Sequence, residues 1–578
     1  MSSRGGTTGG PRVRRSVGAL VGAAPWAFPL VLWFVATYFL LGDTGKWLDD
    51  WFYVQRTPET GEIRSLILDG RVHFWRPLYR VIVPALATVL AEHDRINHLI
   101  GAAAHGLNAW LVWSLMARLG VRRLPATLGA LTFLVWQWHA QAVFWLCALP
   151  TLLSTGAMLG ALHLGLAPWP GRRIWGLTAL AAGITFGAAC LNEQPAVLAG
   201  ALPLVLLAGP RARARDIPRS LLPALAGGAS LVLYSAMHRW MGGSTDIGGA
   251  SGLLPLERWP DAGAKLWRWI YGYIGSNEWL ARSLHLGVMA FAAHPARTVV
   301  VGLAGITSAV AWVAHMARRG HERRAAQTGG PATPLRLALL GGAMMAAPLV
   351  PIVAFDYWLH PRMLYASAAG LGVLLGAGLS ALSELGKRPA EERRAARGAV
   401  AALGVFGLLV LAIAMVGFQA GMQRRHRLDM DALAQLRAAA GDAPSGSVFV
   451  PVWVGVPDGP SWGRRFDTFF SSVFNSWWSS RWALRQAFGR SDIVATETRW
   501  SHAGWRAPAA DGAAVGQLRF AWDVLVPFEL DEHNRVRLIT SVGYTGPGGE
   551  ELRVDVPITS ALAARRDLPA RHYTFGRE

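Results

Sequence analysis

The stretch INHLIGAAAHGLNAWLVWSLMARLGVRR (96–123) decides the fold class of this 578-residue chain. It begins as an apolar run long enough to cross a bilayer core of about 30 Å, and it ends in a group of arginines. Similar apolar runs recur along the sequence, of which 52% is hydrophobic and 16% is charged. Soluble domains carry about 25% charged residues. The sequence therefore predicts an all-α polytopic membrane protein.

Hydropathy places about eleven transmembrane helices along the chain. They are predicted near 24–42, 96–117, 124–144, 147–167, 174–191, 195–210, 217–238, 297–317, 335–355, 363–384 and 398–420. The segment 77–94 has a shorter apolar run that contains Pro84. We expect an external amphipathic or re-entrant helix there.

The basic residues fit this topology. Arginine-rich clusters occur at 118–123, 171–173, 211–219, 318–324 and 387–397, and all fall on the cytoplasmic side if the N-terminus is cytoplasmic. This pattern explains the net charge of +20, so we expect no nucleic-acid partner. RVRR (12–15) before an uncleaved apolar run indicates a signal anchor. We expect a bacterial-type inner (plasma) membrane protein.

Three regions follow from the hydropathy. They are a basic cytoplasmic N-terminus (1–23), a transmembrane region (24–422) with external loops at 43–95 and 239–296, and a soluble extracytoplasmic domain (423–578). In the second loop, Trp267, Trp269 and Trp279 favour a helix that lies among the lipid headgroups.

The soluble domain carries both strand and helix patterns. SVFVPVWVGV (447–456) predicts a buried strand, and VLVPFELDEHNRVRLITSV (524–542) predicts a hairpin that turns at Asp531–Asn534. SSRWALRQAFG (479–489) has helical spacing. We expect an α/β or α+β domain that either covers the site as a lid or binds an acceptor.

Cysteine usage excludes two kinds of site. The only cysteines are Cys147 and Cys190, too few for a disulfide framework or a thiolate metal centre. The sequence also shows no convincing set of side chains that would coordinate a metal ion by themselves.

On the predicted topology, the notable polar side chains collect at the outer membrane surface. They are Asp49, Asp50, His73, Arg76, Arg80, His139, Gln141, Asn192, Glu193, Asp356, His360 and Arg362. Each alone has an ordinary explanation as a solvated, hydrogen-bonding or snorkelling interface residue. Glu193 is harder to explain in that way, because ionisable groups so close to hydrocarbon are costly and are functional by default.

Together these groups describe a site for a lipid-linked phosphorylated substrate. Arginine binds phosphate oxygens in a bidentate manner and offsets the charge of a leaving phosphate. A carboxylate near an acceptor hydroxyl acts as general base. The tryptophans supply faces against which a sugar packs.

Six motifs carry a family resemblance over residues 20–420. They are DDWF (49–52), FWRPLYRVIVPAL (74–86), INHLIGAAAHGLNAWLVWSLMARLG (96–120), WHAQAVFWLCALPTLLSTGAMLGALHL (138–164), CLNEQPAVLAGALPL (190–204) and HPRMLYASAAGLGVLL (360–375). Their order resembles the GT-C superfamily of integral membrane glycosyltransferases. The nearest branch looks like the protein O-mannosyltransferases and the aminoarabinose transferases.

This resemblance implies transfer of a sugar from a polyprenyl-phosphate donor on the external face, by inversion, with a first-loop aspartate as base. By position, Asp49 or Asp50 would be that base. Arg362 and Arg76 would contact the donor phosphate, and the substrate site would also include His139, Glu193, Asp356 and His360. Some members need a divalent cation and others do not, so the metal question stays open.

The chain also departs from the family pattern. Gln141 stands where a small or apolar residue is common, Asn192 replaces a lysine, and the C-terminal domain lacks TPR periodicity. The acceptor therefore stays open between an envelope glycan, a lipid and a secreted protein. Two alternatives are a flippase of lipid-linked saccharide, which favours internal repeats and mid-membrane charges, and a non-catalytic envelope assembly protein.

Overall fold

The computed structural model describes most of the chain from Arg76 to Thr574. Outside the described residues lie 1–75, 90–92, 137–138, 167–172, 209–216, 241–245, 248–249, 252–253, 272–276, 297, 300–302, 304–333, 355–360, 385–389, 455–473, 475–476, 496–504, 510–511, 516–517, 532, 546–549 and 575–578. The basic N-terminus and most of the first predicted external loop are among them.

Helices dominate the described part up to residue 440. In chain order they are α1 (Pro77–Val89), α2 (Asp94–Arg118), α3 (Arg123–Val135), α4 (Ala140–Phe144), α5 (Leu149–Gly165), α6 (Arg173–Leu191), α7 (Glu193–Ala196), α8 (Leu202–Ala208), α9 (Ile217–Trp240), α10 (Trp259–Ile270), α11 (Asn277–Ala293), α12 (Pro334–Ala346), α13 (Val350–Ala354), α14 (Tyr365–Glu384) and α15 (Ala390–Ala440). Short 3₁₀ turns link several of them, including Leu146–Ala148, Val197–Ala201, Ala347–Leu349 and Pro361–Leu364.

Seven helical stretches of the described chain are long and apolar enough to cross a membrane. They are Arg95–Arg118, Leu146–Gly165, Ile174–Leu191, Leu221–Trp240, Pro334–Ala354, Arg362–Leu382 and Phe406–Ala440, and each corresponds to a predicted span. The predicted span 24–42 and most of 297–317 lie outside the described residues. The predicted spans 124–144 and 195–210 are instead broken into shorter helices, α3 with α4 and α7 with α8, so the total of about eleven is not confirmed.

The segment predicted to be external or re-entrant forms α1. This helix has 13 residues and contains Pro84, so it spans only about 20 Å and is too short for a hydrocarbon core of about 30 Å. It has one buried and one exposed side: Val83 and Ala87 are fully buried, while Leu78 and Val81 are exposed. Its length and its two faces suit a helix that lies at the bundle surface.

Glycines let α11 approach α15 closely. A Cβ added at Gly417 would meet the backbone carbonyl of Ser283, and one added at Gly287 would meet that of Ile413. These pairs also show that α11 runs antiparallel to α15. Small residues allow such close backbone contact between helices in a membrane. Part of the loop predicted at 239–296 thus lies along the apolar segment of α15, and the external placement of that loop stays a prediction.

We expect Gly417→Val to lower the free energy of unfolding by about 1–3 kcal/mol, because the new side chain has no room against Ser283. The measurement is thermal unfolding of the detergent-purified protein. Gly407→Val is the matched control, since Gly407 lies on the same helix and an added Cβ there meets nothing within 4 Å. Equal unfolding temperatures for the two variants would show that α11 and α15 do not pack as described.

The last helix of the bundle continues into the C-terminal domain. α15 has 51 residues and is therefore about 75 Å long. Its final turns bury Leu433 and Leu436 in the core of that domain, together with Phe449 and Phe528. The helix runs without interruption through residue 423, where the sequence predicts the domain boundary. One continuous helix thus connects the bundle to the domain.

The described residues of the C-terminal domain contain strands and two further helices. The helices are α16 (Trp477–Phe488) and α17 (Pro557–Arg565). The strands in the described part of the chain are β1 (Asp246–Ile247), β2 (Ala250–Ser251), β3 (Val448–Val454), β4 (Val494–Ala495), β5 (Trp505–Ala509), β6 (Gly512–Val515), β7 (Leu518–Ala521), β8 (Leu525–Leu530), β9 (Val536–Leu538), β10 (Ser541–Thr545), β11 (Glu551–Asp555) and β12 (His572–Thr574). They form sheets ordered β1-β2, β4-β3-β8-β9, β5-β6-β7 and β11-β10-β12.

The main sheet agrees with the strands expected from the sequence. β3 is the predicted buried strand and pairs in parallel with β4 and β8, with Val448 opposite Leu525. β8 and β9 form the predicted antiparallel hairpin, and Asn534 adopts a φ of 60° in its turn. The Asp531 carboxylate accepts hydrogen bonds from the backbone N–H groups of His533 and Arg535, which fixes the turn. The sequence pattern at 479–489 corresponds to α16.

Candidate functional site

An ion pair joins the start of α1 to the start of α7. The Arg76 Nε donates to Glu193 Oε2 at 2.7 Å and its Nη2 donates to Oε1 at 2.5 Å, which makes a bidentate pair. The two side chains are 21% and 25% exposed. Both residues were predicted for the site from the sequence, although they are 117 positions apart.

The pair stays charged because its attraction exceeds the cost of burial. Burial disfavours the charged form of each partner. The neighbouring guanidinium nevertheless holds the pKa of the Glu193 carboxyl below its ordinary value, and the carboxylate raises the pKa of Arg76. Removing one partner would leave a charge in a largely buried position without compensation.

Asn192 fixes the geometry of Glu193. Its side-chain oxygen accepts a hydrogen bond from the Gln194 backbone N–H and so caps α7, which places Glu193 in the first turn. Its amide nitrogen donates to Thr151 Oγ1 at 2.7 Å. Asn192 therefore anchors the junction between α6 and α7 to α5.

Two residues near the ion pair were not predicted. Tyr234 and His238 lie one turn apart on α9 with their rings stacked at 6.4 Å. Tyr234 lies within electrostatic reach of Arg76, and His238 within reach of Glu193. The sequence feature that could have identified them is their i, i+4 spacing near the end of a predicted span.

The turn Pro361–Leu364 presents Arg362 at the start of α14. The Arg362 guanidinium lies over the Trp145 ring, 4.3 Å from its centroid, in a cation–π contact. The Arg362 backbone N–H donates to Gln141 Oε1 at 3.1 Å, and Gln194 Nε2 donates to the carbonyl of Met363. Since Gln194 follows Glu193, the short helix α7 contacts the segments of both arginines.

A buried hydrogen-bond chain holds α14 just beyond this turn. Asn108 Nδ2 donates to the Tyr365 hydroxyl at 3.0 Å, and that hydroxyl lies 2.7 Å from His105 Nδ1. His105 Nε2 lies 2.9 Å from the Leu134 carbonyl, which can only accept. The Nε2 therefore carries the proton, Nδ1 is the acceptor, and the Tyr365 hydroxyl donates to it.

We expect Tyr365→Phe to lower the free energy of unfolding by about 1–3 kcal/mol. The change deletes one hydroxyl, so the buried Asn108 amide and the buried His105 ring each lose a hydrogen bond. The measurement is thermal unfolding, with Tyr271→Phe as the control because Tyr271 is 65% exposed. An unchanged unfolding temperature for Tyr365→Phe would contradict the hydrogen-bond chain.

His139 packs against the rings of this hydrogen-bond chain. It is fully buried, with its ring centroid 4.6 Å from that of Tyr365 and 5.1 Å from that of His105. Among the described residues neither ring nitrogen has a hydrogen-bond partner, and the nearby Phe133 carbonyl makes no bond of normal geometry. Its place in a substrate site stays a prediction.

Other predicted site residues lie outside the described part. These are Asp49, Asp50, Asp356 and His360. Within the described residues, no group of three or more histidine, cysteine, aspartate or glutamate side chains is placed to hold a metal ion.

At the opposite end of the bundle, arginine side chains donate hydrogen bonds to backbone carbonyls near helix ends. Arg118 Nη1 donates to the His163 carbonyl at 2.9 Å, and Arg336 Nη1 donates to the Leu207 carbonyl at 3.3 Å. These residues flank the arginine clusters at 118–123, 171–173 and 211–219. The helices thus separate the candidate site from the basic end of the bundle.

Comparison with known proteins gives only distant similarity. No family model and no curated protein matches the chain. Among solved structures, ArnT from Cupriavidus metallidurans bound to undecaprenyl phosphate is similar at 13% identity and a TM-score of 0.36, over 83% of this chain and 86% of that one. The Archaeoglobus fulgidus oligosaccharyltransferase tethered to an acceptor peptide is similar at 14% identity and a TM-score of 0.37, over 81% of this chain and 63% of that one. At these scores the similarities carry no argument about the site.

Proposed function

We propose that this chain is a membrane glycosyltransferase that moves a sugar from a polyprenyl-phosphate donor to an acceptor on the external face of the membrane. The observation that carries the proposal is the gathering of Arg76, Glu193 and Arg362 around α7 at one end of the helix bundle. Fixed guanidinium groups at a helix-bundle end suit the phosphate of a lipid whose chain lies in the bilayer.

The proposed reaction is a direct displacement at the anomeric carbon. Asp49 or Asp50 accepts the proton of the acceptor hydroxyl, whose oxygen forms the new bond to the sugar. The bond from the anomeric carbon to the phosphate oxygen breaks, and polyprenyl phosphate leaves with that electron pair. Arg362 offsets the charge that develops on the phosphate. Inversion at the anomeric carbon follows from the single displacement.

Other residues have binding roles in this proposal. Arg76, held by Glu193, contacts the donor phosphate with Arg362, and Asp356 and His360 contact the substrate. The C-terminal domain covers the site or binds the acceptor, which is an envelope glycan, a lipid or a secreted protein. The N-terminus is cytoplasmic and the C-terminal domain is extracytoplasmic in a bacterial-type plasma membrane.

The test compares wild type with Arg362→Ala and Arg362→Lys on a panel of radiolabelled polyprenyl-phosphate sugars. We expect wild type to cleave one of the donors. Arg362→Ala should lower the rate of donor cleavage by about 10²–10³-fold. Arg362→Lys should lower it less, because lysine keeps the positive charge but lacks the planar guanidinium group. The control is Arg336→Ala, at the opposite end of the bundle. Repeating the assay with EDTA decides whether a divalent cation takes part.

Two results would overturn the proposal. If Arg362→Ala cleaves the donor as fast as wild type, Arg362 does not act on the phosphate. If the wild-type protein binds a lipid-linked sugar without cleaving it, a flippase or a non-catalytic envelope assembly protein explains the chain better.

A further inference from the structure

Side chains from two short helices, α4 and α7, hold the backbone of the turn that carries Arg362. Gln141 Oε1 accepts a hydrogen bond from the Arg362 N–H at 3.1 Å. Gln194 Nε2 donates to the Met363 carbonyl and, at 3.0 Å, to the Pro348 carbonyl. Both glutamines are buried, with 2% and 7% of their surface exposed.

The two amides have complementary roles. Gln141 supplies an acceptor to a backbone N–H, and Gln194 supplies both of its N–H donors to backbone carbonyls, one on the turn and one at the end of α12. An apolar side chain at either position would remove a hydrogen bond from a partly buried backbone group of the turn, which is costly. The turn is therefore held at two successive residues, Arg362 and Met363, by side chains of two different helices.

The helix that supplies Gln141 also leads to the residue that orients the side chain of Arg362. Trp145 directly follows α4, and its ring supports the guanidinium. The backbone and the side chain of Arg362 are thus both positioned by the segment between α3 and α5. This accounts for a glutamine where the family commonly has a small or apolar residue.

We propose that Gln141 and Gln194 are positioning residues, which we call the glutamine clamp, and that they fix Arg362 to receive an anionic group. That this group is a donor phosphate rests on the proposed function. The clamp itself rests on the hydrogen bonds, so it can be tested with and without transferase activity.

The first test is hydrogen exchange, which needs no substrate. Backbone amide exchange is followed by mass spectrometry in peptides covering 361–365, for wild type, Gln141→Met, Gln194→Met and Gln419→Met. The last is the matched control: Gln419 is equally buried but makes no hydrogen bond to the turn among the described residues. We expect each clamp variant to exchange about tenfold faster at the turn, and the control to match wild type.

Glutamate variants distinguish the acceptor role of Gln141 from the donor role of Gln194. Gln141→Glu keeps an acceptor oxygen facing the Arg362 N–H, so exchange should stay within about threefold of wild type. Gln194→Glu removes at least one of two donors and places oxygen against carbonyl oxygen, so exchange should rise at least as much as in Gln194→Met. Equal behaviour of the two glutamate variants, or wild-type exchange in both methionine variants, would overturn the clamp.

The second test is a double-mutant cycle on donor turnover. Each clamp variant should lower donor kcat/KM by about tenfold, mainly through kcat because Arg362 offsets the charge on the leaving phosphate, and should add little in an Arg362→Ala background. A purely structural role would give additive losses instead and would overturn the positioning role. If wild type cleaves no donor, the proposed function fails on that result alone, while the exchange measurement still decides the clamp.

Discussion

Replacing Asp49 or Asp50 by asparagine is expected to lower sugar transfer by about 10²–10⁴-fold for one of the two residues and much less for the other. A general base contributes about this much to a rate, and an amide cannot accept the acceptor's proton. Adjacent residues of an extended segment point to opposite sides, so only one of the pair would face the reacting hydroxyl. The measurement is kcat and donor KM for both variants.

The kinetic pattern matters as much as the size of the loss. Loss of the base should lower kcat and leave donor binding close to that of wild type, since neither aspartate is assigned to the phosphate. Asp43→Asn, in the same predicted loop, is the control and should transfer normally. Wild-type kcat in both Asp49→Asn and Asp50→Asn would show that neither residue is the base.

Breaking the Arg76–Glu193 pair is expected to produce the second large effect. Glu193→Gln and Arg76→Gln should each lower the free energy of unfolding by about 2 kcal/mol, because a largely buried charge loses its bidentate partner. The expected loss of stability is smaller than that for a fully buried pair, because both side chains are about one quarter exposed to solvent. Transfer should fall as well, since Arg76 would no longer be held at the donor.

The double variant tests whether an unpaired charge causes the loss of stability in the single variants. Arg76→Gln combined with Glu193→Gln leaves no unpaired charge, so its loss of stability should be clearly smaller than the sum of the single losses. The surface pair Arg553–Asp555 is the control: its side chains are 68% and 79% exposed, and Arg553→Gln should change stability little. Additive losses at Arg76 and Glu193 would contradict a coupled pair.

The same pair should make stability depend on pH. Because the pKa of Glu193 is lower in the folded protein than its ordinary value of 4.5, its contribution is present above that value. It is lost as the pH falls through the folded-state pKa. Glu193→Gln should therefore flatten the acid limb of the stability profile.

The sequence was sufficient for most of the long apolar helices, because these depend on local composition. Seven predicted spans correspond to long apolar helices, and the residues expected at one surface include the pair Arg76 and Glu193. The hairpin at Asp531–Asn534 was also predictable, because turn residues separate two apolar strands.

Contacts between distant segments could not be read from the sequence. Arg76 and Glu193 were each singled out, yet nothing local indicates that residues 117 positions apart form a pair. Gln194 was not expected to act, since an amide beside a glutamate has no distinctive pattern. The hydrogen-bond chain through Tyr365 likewise depends on three helices whose packing is set by tertiary structure.

The most direct test of the transferase account is the fate of a radiolabelled polyprenyl-phosphate sugar in proteoliposomes that contain the purified protein and a panel of acceptors. The account predicts that the lipid–sugar bond is cleaved, with polyprenyl phosphate released in step with sugar transfer to an acceptor. Intact donor that appears on the opposite leaflet, with no polyprenyl phosphate formed, would contradict it and indicate a flippase.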